Sequence, residues 1–186
     1  MEKTKQKEAL RALCETAVMV ALAVALSFVK VDLWAQGGSL NLVMIPIIIV
    51  GYRRGWQWSI PAGLAFGLIK CAMGEGFSYG FASVMLDYVL AYGAVGLAGF
   101  FKGAKHGMAI GSVVGSAARF LVHFASGITI YRIGIGESVE LFGKTYGSDA
   151  AVLYSIVYNG SYMLVNMIVA VVVSLLIEKA ISRIPK

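Results

Sequence analysis

The sequence has few charged residues, few prolines and few cysteines for its length. Charged side chains make up 14% of the 186 residues, and there are only 3 Pro, 2 Cys and 2 His. Hydrophobic residues make up 59% and the mean hydropathy is +0.78, so the chain carries more apolar surface than one water-exposed domain can bury. The composition excludes a soluble monomer and predicts an integral membrane protein.

The common sequence motifs of catalysis and metal binding are also missing. The chain has no P-loop, no H-E-x-x-H and no G-x-S-x-G. Cys14 and Cys71 form no C-x-x-C pair and have no histidines at metal-ligand spacing. We therefore expect no ATP hydrolysis by the chain itself, no metal and no cofactor. The net charge of +6 lies in short clusters between apolar runs, which indicates membrane topology and no nucleic-acid partner.

Six apolar runs predict an all-α, polytopic fold with six transmembrane helices in one domain, residues 1–186. The predicted spans are 9–30, 40–53, 55–73, 79–101, 107–131 and 150–178. The second run is short and contains Pro46, so a re-entrant segment is the alternative to a short span. Glycines spaced three or four residues apart on spans four and five predict close internal helix packing.

The positions of the basic residues predict how the chain is oriented in the membrane. With six spans, eleven of them fall on one side: Lys3, Lys5, Lys7, Arg11, Arg53, Arg54, Lys102, Lys105, Lys179, Arg183 and Lys186. The other side carries Lys30, Arg132 and Lys144 beside five acidic residues. By the positive-inside rule, both termini are expected in the cytoplasm.

Polar side chains on three predicted spans share one depth. At 1.5 Å per residue, Asp87, His123 and Asn159 lie about 12–13 Å from the outer ends of their helices. Arg119 lies one turn from His123 on the same face. Ionisable groups inside a span usually face a cavity or each other, so a binding site and a structural Asp87–Arg119 ion pair are both open. Lys70, near the outer end of span three, is expected to extend to the interface.

Aromatic residues are frequent toward the predicted extracellular side of the membrane. Trp34 lies in the first outer loop, WAQGGS, whose flexibility suits a lid, and Tyr131, Tyr154 and Tyr158 lie on spans five and six. Lipid anchoring is the alternative role for such residues. A pocket with a carboxylate, an imidazole, a carboxamide and aromatic faces suits a small, planar, cationic heteroaromatic ligand.

Four segments together resemble the ThiT family, the thiamine-specific S components of bacterial energy-coupling factor (ECF) transporters. These segments are WAQGGSLNLVMIPIIIVGYRRG, LDYVLAYGAVGLAGFF, RFLVHFASGI and YSIVYNGSYML. The resemblance implies a six-helix subunit of the bacterial cell membrane that binds thiamine with high affinity for vitamin uptake and performs no chemistry itself. It also implies association with a transmembrane T component and two ABC ATPase subunits.

The resemblance further implies which residues contact the ligand. They are Trp34, Asp87, Tyr88, Arg119, His123, Tyr131, Tyr154 and Asn159. Family members usually have Glu at the position of Asp87 and often Trp at that of Tyr131, and both changes preserve chemical type. Ala17, Ala21 and Ala25 form a small-residue stripe on span one, which alone fits internal packing as well as partner contact. The resemblance favours docking to the T component.

Two other functions fit the same residues. One is an S component for another vitamin or for a thiamine precursor. The other is an intramembrane enzyme in which Asp87 and His123 act as an acid–base pair.

Overall fold

The computed structural model describes residues 2–34, 37–74, 80–134, 138–141, 143–147 and 151–185. The described chain is dominated by six helical segments: α1 (Glu2–Ser27), α2 (Met44–Arg54), α3 (Trp56–Ala72), α4 (Phe81–Phe101), α5 (Gly107–Gly134) and α6 (Ala151–Arg183). Two antiparallel hairpins lie in the connections: β1 (Val31–Trp34) with β2 (Gly37–Leu40), and β3 (Val139–Leu141) with β4 (Lys144–Tyr146). The predicted all-α class is confirmed.

A helix lies at each predicted span, but the helices differ in length. Among the described residues, α1, α4, α5 and α6 are long and apolar enough to cross a membrane. The second run was predicted to be helical from residue 40, whereas α2 begins at Met44 and has only 11 residues, because residues up to Leu40 belong to β2. Pro46 lies in the first turn of α2, where backbone N–H groups have no intrahelical acceptor to lose.

Helix α4 is irregular in a way that its sequence does not predict. It is α-helical over Phe81–Val84, π-helical over Met85–Leu90, α-helical again over Ala91–Val95 and 3-10 helical over Gly96–Phe101. A π-helical turn widens the helix and is frequent at functional sites. This turn carries Asp87 and Tyr88.

Glycines let α3 and α4 approach backbone to backbone. A Cβ atom added at Gly63 would lie 2.0 Å from the carbonyl oxygen of Tyr92, and one at Gly67 would lie 2.5 Å from that of Tyr88. On α5, a Cβ at Gly111 would meet Ala98 of α4 at 3.0 Å. The predicted internal packing of the glycine-rich faces of spans four and five is confirmed.

We expect Gly63→Ala to destabilise the fold while Gly160→Ala does not. The new methyl at Gly63 displaces backbone, at a cost of about 1–3 kcal/mol. Gly160 is also helical, and its added Cβ would find only Phe120 Cε2 at 3.9 Å, so Ala should be neutral or stabilising by up to about 1 kcal/mol. Thermal unfolding of the two purified variants in the same detergent measures the difference. Equal melting temperatures would contradict the close α3–α4 contact.

The basic clusters meet at one end of the bundle. Arg53, at the end of α2, forms a salt bridge with Glu15 of α1 and donates hydrogen bonds to the carbonyl oxygens of Ile184 and Pro185, each at 2.9 Å. Lys102 Nζ, just after α4, donates to the Arg54 carbonyl at 3.2 Å. These contacts place the middle of α1 and the ends of α2, α4 and α6 together, as the distribution of basic residues predicts.

Candidate functional site

Asp87 is held on the π-helical turn of α4 by partners on two helices. Ser83 Oγ donates to Asp87 Oδ2 at 2.8 Å, and His123 Nδ1 of α5 lies 3.1 Å from Asp87 Oδ1. The Asp87 side chain is still 24% exposed, and that of His123 is 11% exposed. The carboxylate is therefore fixed in direction but retains accessible surface for a ligand.

His123 lies between the acidic and the basic residue of the site. Arg119 Nε donates to His123 Nε2 at 3.4 Å, so the ring proton belongs on Nδ1, facing Asp87. The Arg119 guanidinium donates to Tyr92 Oη at 3.1 Å and lies 4.3 Å from the centre of the Tyr92 ring. The expected alternative of a direct Asp87–Arg119 ion pair is wrong, because the imidazole separates the two charges.

Helix α6 adds a carboxamide to this cluster. Asn159 Nδ2 donates to the His123 carbonyl oxygen at 3.3 Å and to Ser155 Oγ at 3.1 Å. Asn159 Oδ1 accepts from Tyr162 Oη at 3.0 Å. Of the three residues predicted to share one depth, Asp87 and His123 are in direct side-chain contact, and Asn159 joins them through the backbone carbonyl of His123.

Aromatic rings on α6 form a continuous series that ends at the imidazole. Tyr154 and Tyr158 stack with ring centres 5.6 Å apart, Tyr158 and Tyr162 meet edge to face at 5.7 Å, and Tyr162 meets His123 at 6.5 Å. Tyr154 is buried. It lies five residues from Asn159, about 140° around the helix axis. Tyr88 is partly buried and packs against the hydrophobic core.

The structure brings together Asp87, Arg119, His123 and Asn159, with Tyr154 joined to them through the ring series. Trp34 ends strand β1 with its backbone opposite Gly37, so it lies in a hairpin where the sequence predicted a flexible loop. The side chains of Trp34 and Tyr131 lie outside the described part of the structure. Both assignments stay predictions.

Sequence reasoning missed two residues that shape the site. Ser83 lies one turn before Asp87, a spacing that would have identified it as a helix-face partner. Tyr92 lies five residues after Asp87, outside the three- and four-residue spacings that mark one helix face, and it contacts Arg119 of α5. Their roles are to orient Asp87 and to hold Arg119.

Lys70 does not extend to the interface as expected. It is 4% exposed, donates to Ser27 Oγ at 3.0 Å and lies 5.7 Å from the centre of the Phe28 ring. The expectation was wrong because Ser27, the last residue of α1, and Phe28 after it lie within contact distance of the Lys70 ammonium group.

The alanine stripe lies on the surface of α1. Ala17, Ala21 and Ala25 are exposed, whereas the opposite face buries Ala12, Thr16, Val20 and Ala23. Internal packing of the stripe within this chain is therefore excluded.

The side chains of the cluster supply hydrogen-bonding groups, charges and aromatic ring faces. No group of three His, Cys, Asp or Glu side chains that would hold a metal is found among the described residues. Asp87 supplies a hydrogen-bond acceptor with negative charge, Asn159 and Arg119 supply polar contacts, and the tyrosines supply ring faces. Together with the long apolar helices, the structure defines a helical membrane protein with a polar and aromatic cluster between α4, α5 and α6.

The chain belongs to the thiamine transporter protein family (Thia_YuaJ), whose sequence model matches residues 13–185. It is 30% identical to thiamine transporter ThiT of Bacillus subtilis (strain 168) over 186 residues, which cover 97% of each chain. It is 25% identical to thiamine transporter ThiT of Lacticaseibacillus paracasei, covering 91% of this chain and 87% of that one. The resemblance to the ThiT family is confirmed, and the family is one of transporters rather than enzymes.

The fold is also similar to a solved structure of ThiT from Listeria monocytogenes. The TM-score is 0.77 at 25% sequence identity, and the alignment covers 92% of this chain and 96% of that one. The fold is therefore shared over most of the chain.

Proposed function

We propose that this chain is the thiamine-binding S component of an ECF-type vitamin uptake transporter in the bacterial cell membrane. The observation that carries the proposal is the Asp87–His123 pair beside the tyrosine series, in a chain that matches named thiamine transporters over nearly its full length. Binding and presentation of the vitamin are its whole activity, with no cofactor.

The chemistry of thiamine matches the cluster. The aminopyrimidine ring carries an exocyclic amine, a donor for the accessible surface of Asp87. The thiazolium ring carries a positive charge, which aromatic faces attract. We expect Tyr88, Tyr154 and Asn159 to contact the bound molecule together with His123, and Trp34 and Tyr131 to cover it from the outer side.

The proposed topology has six crossings with both termini in the cytoplasm. At 1.5 Å per residue, α2 is about 17 Å long, shorter than a bilayer core of about 30 Å. Strand β2 and the turn before Met44 cover the remaining depth, and the Ser39 carbonyl and the Asn41 amide are paired with Asn166 inside the protein. The contacts among Glu15, Arg53 and Pro185 support the same arrangement, because they place the end of α2 beside the middle of α1 and the residues that follow α6.

Transport requires a partner, because the chain has no P-loop. We propose a transmembrane T component with two ABC ATPase subunits, docking on the exposed face formed by Ala17, Ala21 and Ala25. Small side chains there allow another helix to approach closely.

A mass spectrum of the ligand that co-purifies with the protein tests the assignment. We expect thiamine in stoichiometric amount, released on denaturation, and quenching of tryptophan fluorescence when thiamine is added back, because Trp34 would stack near it. Another vitamin or the pyrimidine precursor in its place would identify a different S component.

Oxythiamine provides the matched control ligand. It carries a carbonyl where thiamine has the pyrimidine amine, so an acceptor would face the acceptor Asp87. We expect its affinity to be at least about tenfold lower than that of thiamine. Equal affinities would contradict the proposed contact between Asp87 and the amine.

A further inference from the structure

Asn166 of α6 forms hydrogen bonds with backbone groups far away in the sequence. Its Oδ1 accepts from the Asn41 amide at 3.1 Å, and its Nδ2 donates to the Ser39 carbonyl at 2.9 Å. Asn166 is 2% exposed. One buried side chain thus satisfies the carbonyl of Ser39, in strand β2, and the amide of Asn41, in the turn that joins β2 to helix α2.

The joining segment is organised around these bonds. Asn41 Nδ2 donates to Ser39 Oγ at 3.0 Å, and Asn41 Oδ1 accepts from the Val43 amide at 3.3 Å. Helix α2 begins one residue later, at Met44. The segment is therefore a compact turn, fixed to α6 by Asn166 at the point where the first hairpin ends.

The same face of α6 continues to the proposed thiamine site. Asn166 Nδ2 also donates to the Tyr162 carbonyl at 2.9 Å, and Tyr162 Oη donates to Asn159. Asn159 lies seven residues from Asn166, about 10 Å along the helix. From Leu40 to Gly37, strand β2 is about 10 Å long at 3.3 Å per residue, which matches the distance from Asn166 to Asn159 along α6.

We propose that Asn166 is a positioning residue that holds the inner end of the first hairpin against α6 and thereby slows release of the ligand. The inference rests on the proposed function for the identity of the ligand, but the anchor itself does not. With Asn166 in place, Ser39 and Asn41 stay fixed against α6. Without it, the whole segment before Met44 can separate from α6.

Hydrogen exchange tests the anchor without any ligand. In the wild-type protein we expect the Asn41 amide to exchange slowly. In Asn166→Ala it should exchange at least about tenfold faster, since the loss of a buried hydrogen bond is a tenfold effect or more. Asn166→Leu, which is close to Asn in size, provides a second variant if Ala does not fold. Fast exchange of this amide in the wild-type protein would overturn the proposal without reference to thiamine.

The dissociation rate of thiamine tests the consequence. We expect release from Asn166→Ala to be about tenfold faster than from the wild type. Ser174→Ala is the matched control, because Ser174 is equally buried on α6 and bonds Ser112 Oγ of α5 at 2.8 Å, away from the hairpin. A purely structural role would lower the melting temperature of both variants and leave both release rates unchanged. That result would overturn the proposal.

Discussion

Asp87→Asn is expected to weaken thiamine binding by about 2–4 kcal/mol, a loss of about 30- to 1000-fold in affinity. The substitution keeps the size of the side chain but removes its charge. The amide would also place a donor among the donors that Asp87 now accepts from, Ser83 Oγ and His123 Nδ1. Titration of purified protein with thiamine gives the affinity, and a melting curve on the same preparation gives the stability.

Glu8→Gln is the control for the loss of one negative charge. Glu8 has an exposed side chain on α1, a helix that carries none of the polar cluster, so the loss of its charge should leave the affinity unchanged. If Asp87 serves only to pair with His123, the Asn variant will melt at a lower temperature and bind thiamine as the wild type does. That outcome would remove Asp87 from the ligand site.

Ala21→Trp is expected to abolish thiamine uptake in cells and co-purification with the T component. The indole would occupy space that a closely approaching partner helix needs. Because Ala21 is exposed on α1 and the polar cluster lies on α4, α5 and α6, the affinity of the isolated subunit should stay nearly unchanged. Uptake of labelled thiamine and titration of the purified variant are the two measurements.

Leu22→Trp is the matched control for the docking face. Leu22 is also exposed on α1 and lies about 100° around the helix from Ala21. A large side chain there should be accepted by the lipid, and uptake should continue. Loss of uptake in both variants would indicate a general defect in insertion. Normal uptake by Ala21→Trp would place the docking surface elsewhere.

The sequence was sufficient to predict the elements that long apolar runs define. Six helices lie where six runs were found, because an apolar run of this length has few alternatives to a helix in lipid. The shared depth of Asp87, His123 and Asn159 was also predictable, since helical rise converts residue number into depth. Their direct contacts in the structure agree with that arithmetic.

Details that depend on neighbouring helices were not predictable. Nothing in residues 85–90 marks a π-helical turn, and the contact of Tyr92 with Arg119 joins two helices far apart in the sequence. Lys70 was expected at the interface because its partners, Ser27 at the end of α1 and Phe28 after it, are more than 40 residues away in the sequence. The link from Asn166 to Ser39 and Asn41 spans 125 residues or more, beyond any local pattern.

Titration calorimetry of thiamine into the purified, ligand-free protein tests the central claim most directly. Buried apolar rings and a charged hydrogen bond at Asp87 should give a saturable signal with one thiamine bound per chain. Thiamine should also raise the melting temperature, since a ligand that binds only the folded state stabilises it. Absence of both saturable heat and thermal stabilisation, in protein shown to be folded, would contradict the assignment of this chain as a thiamine-binding subunit.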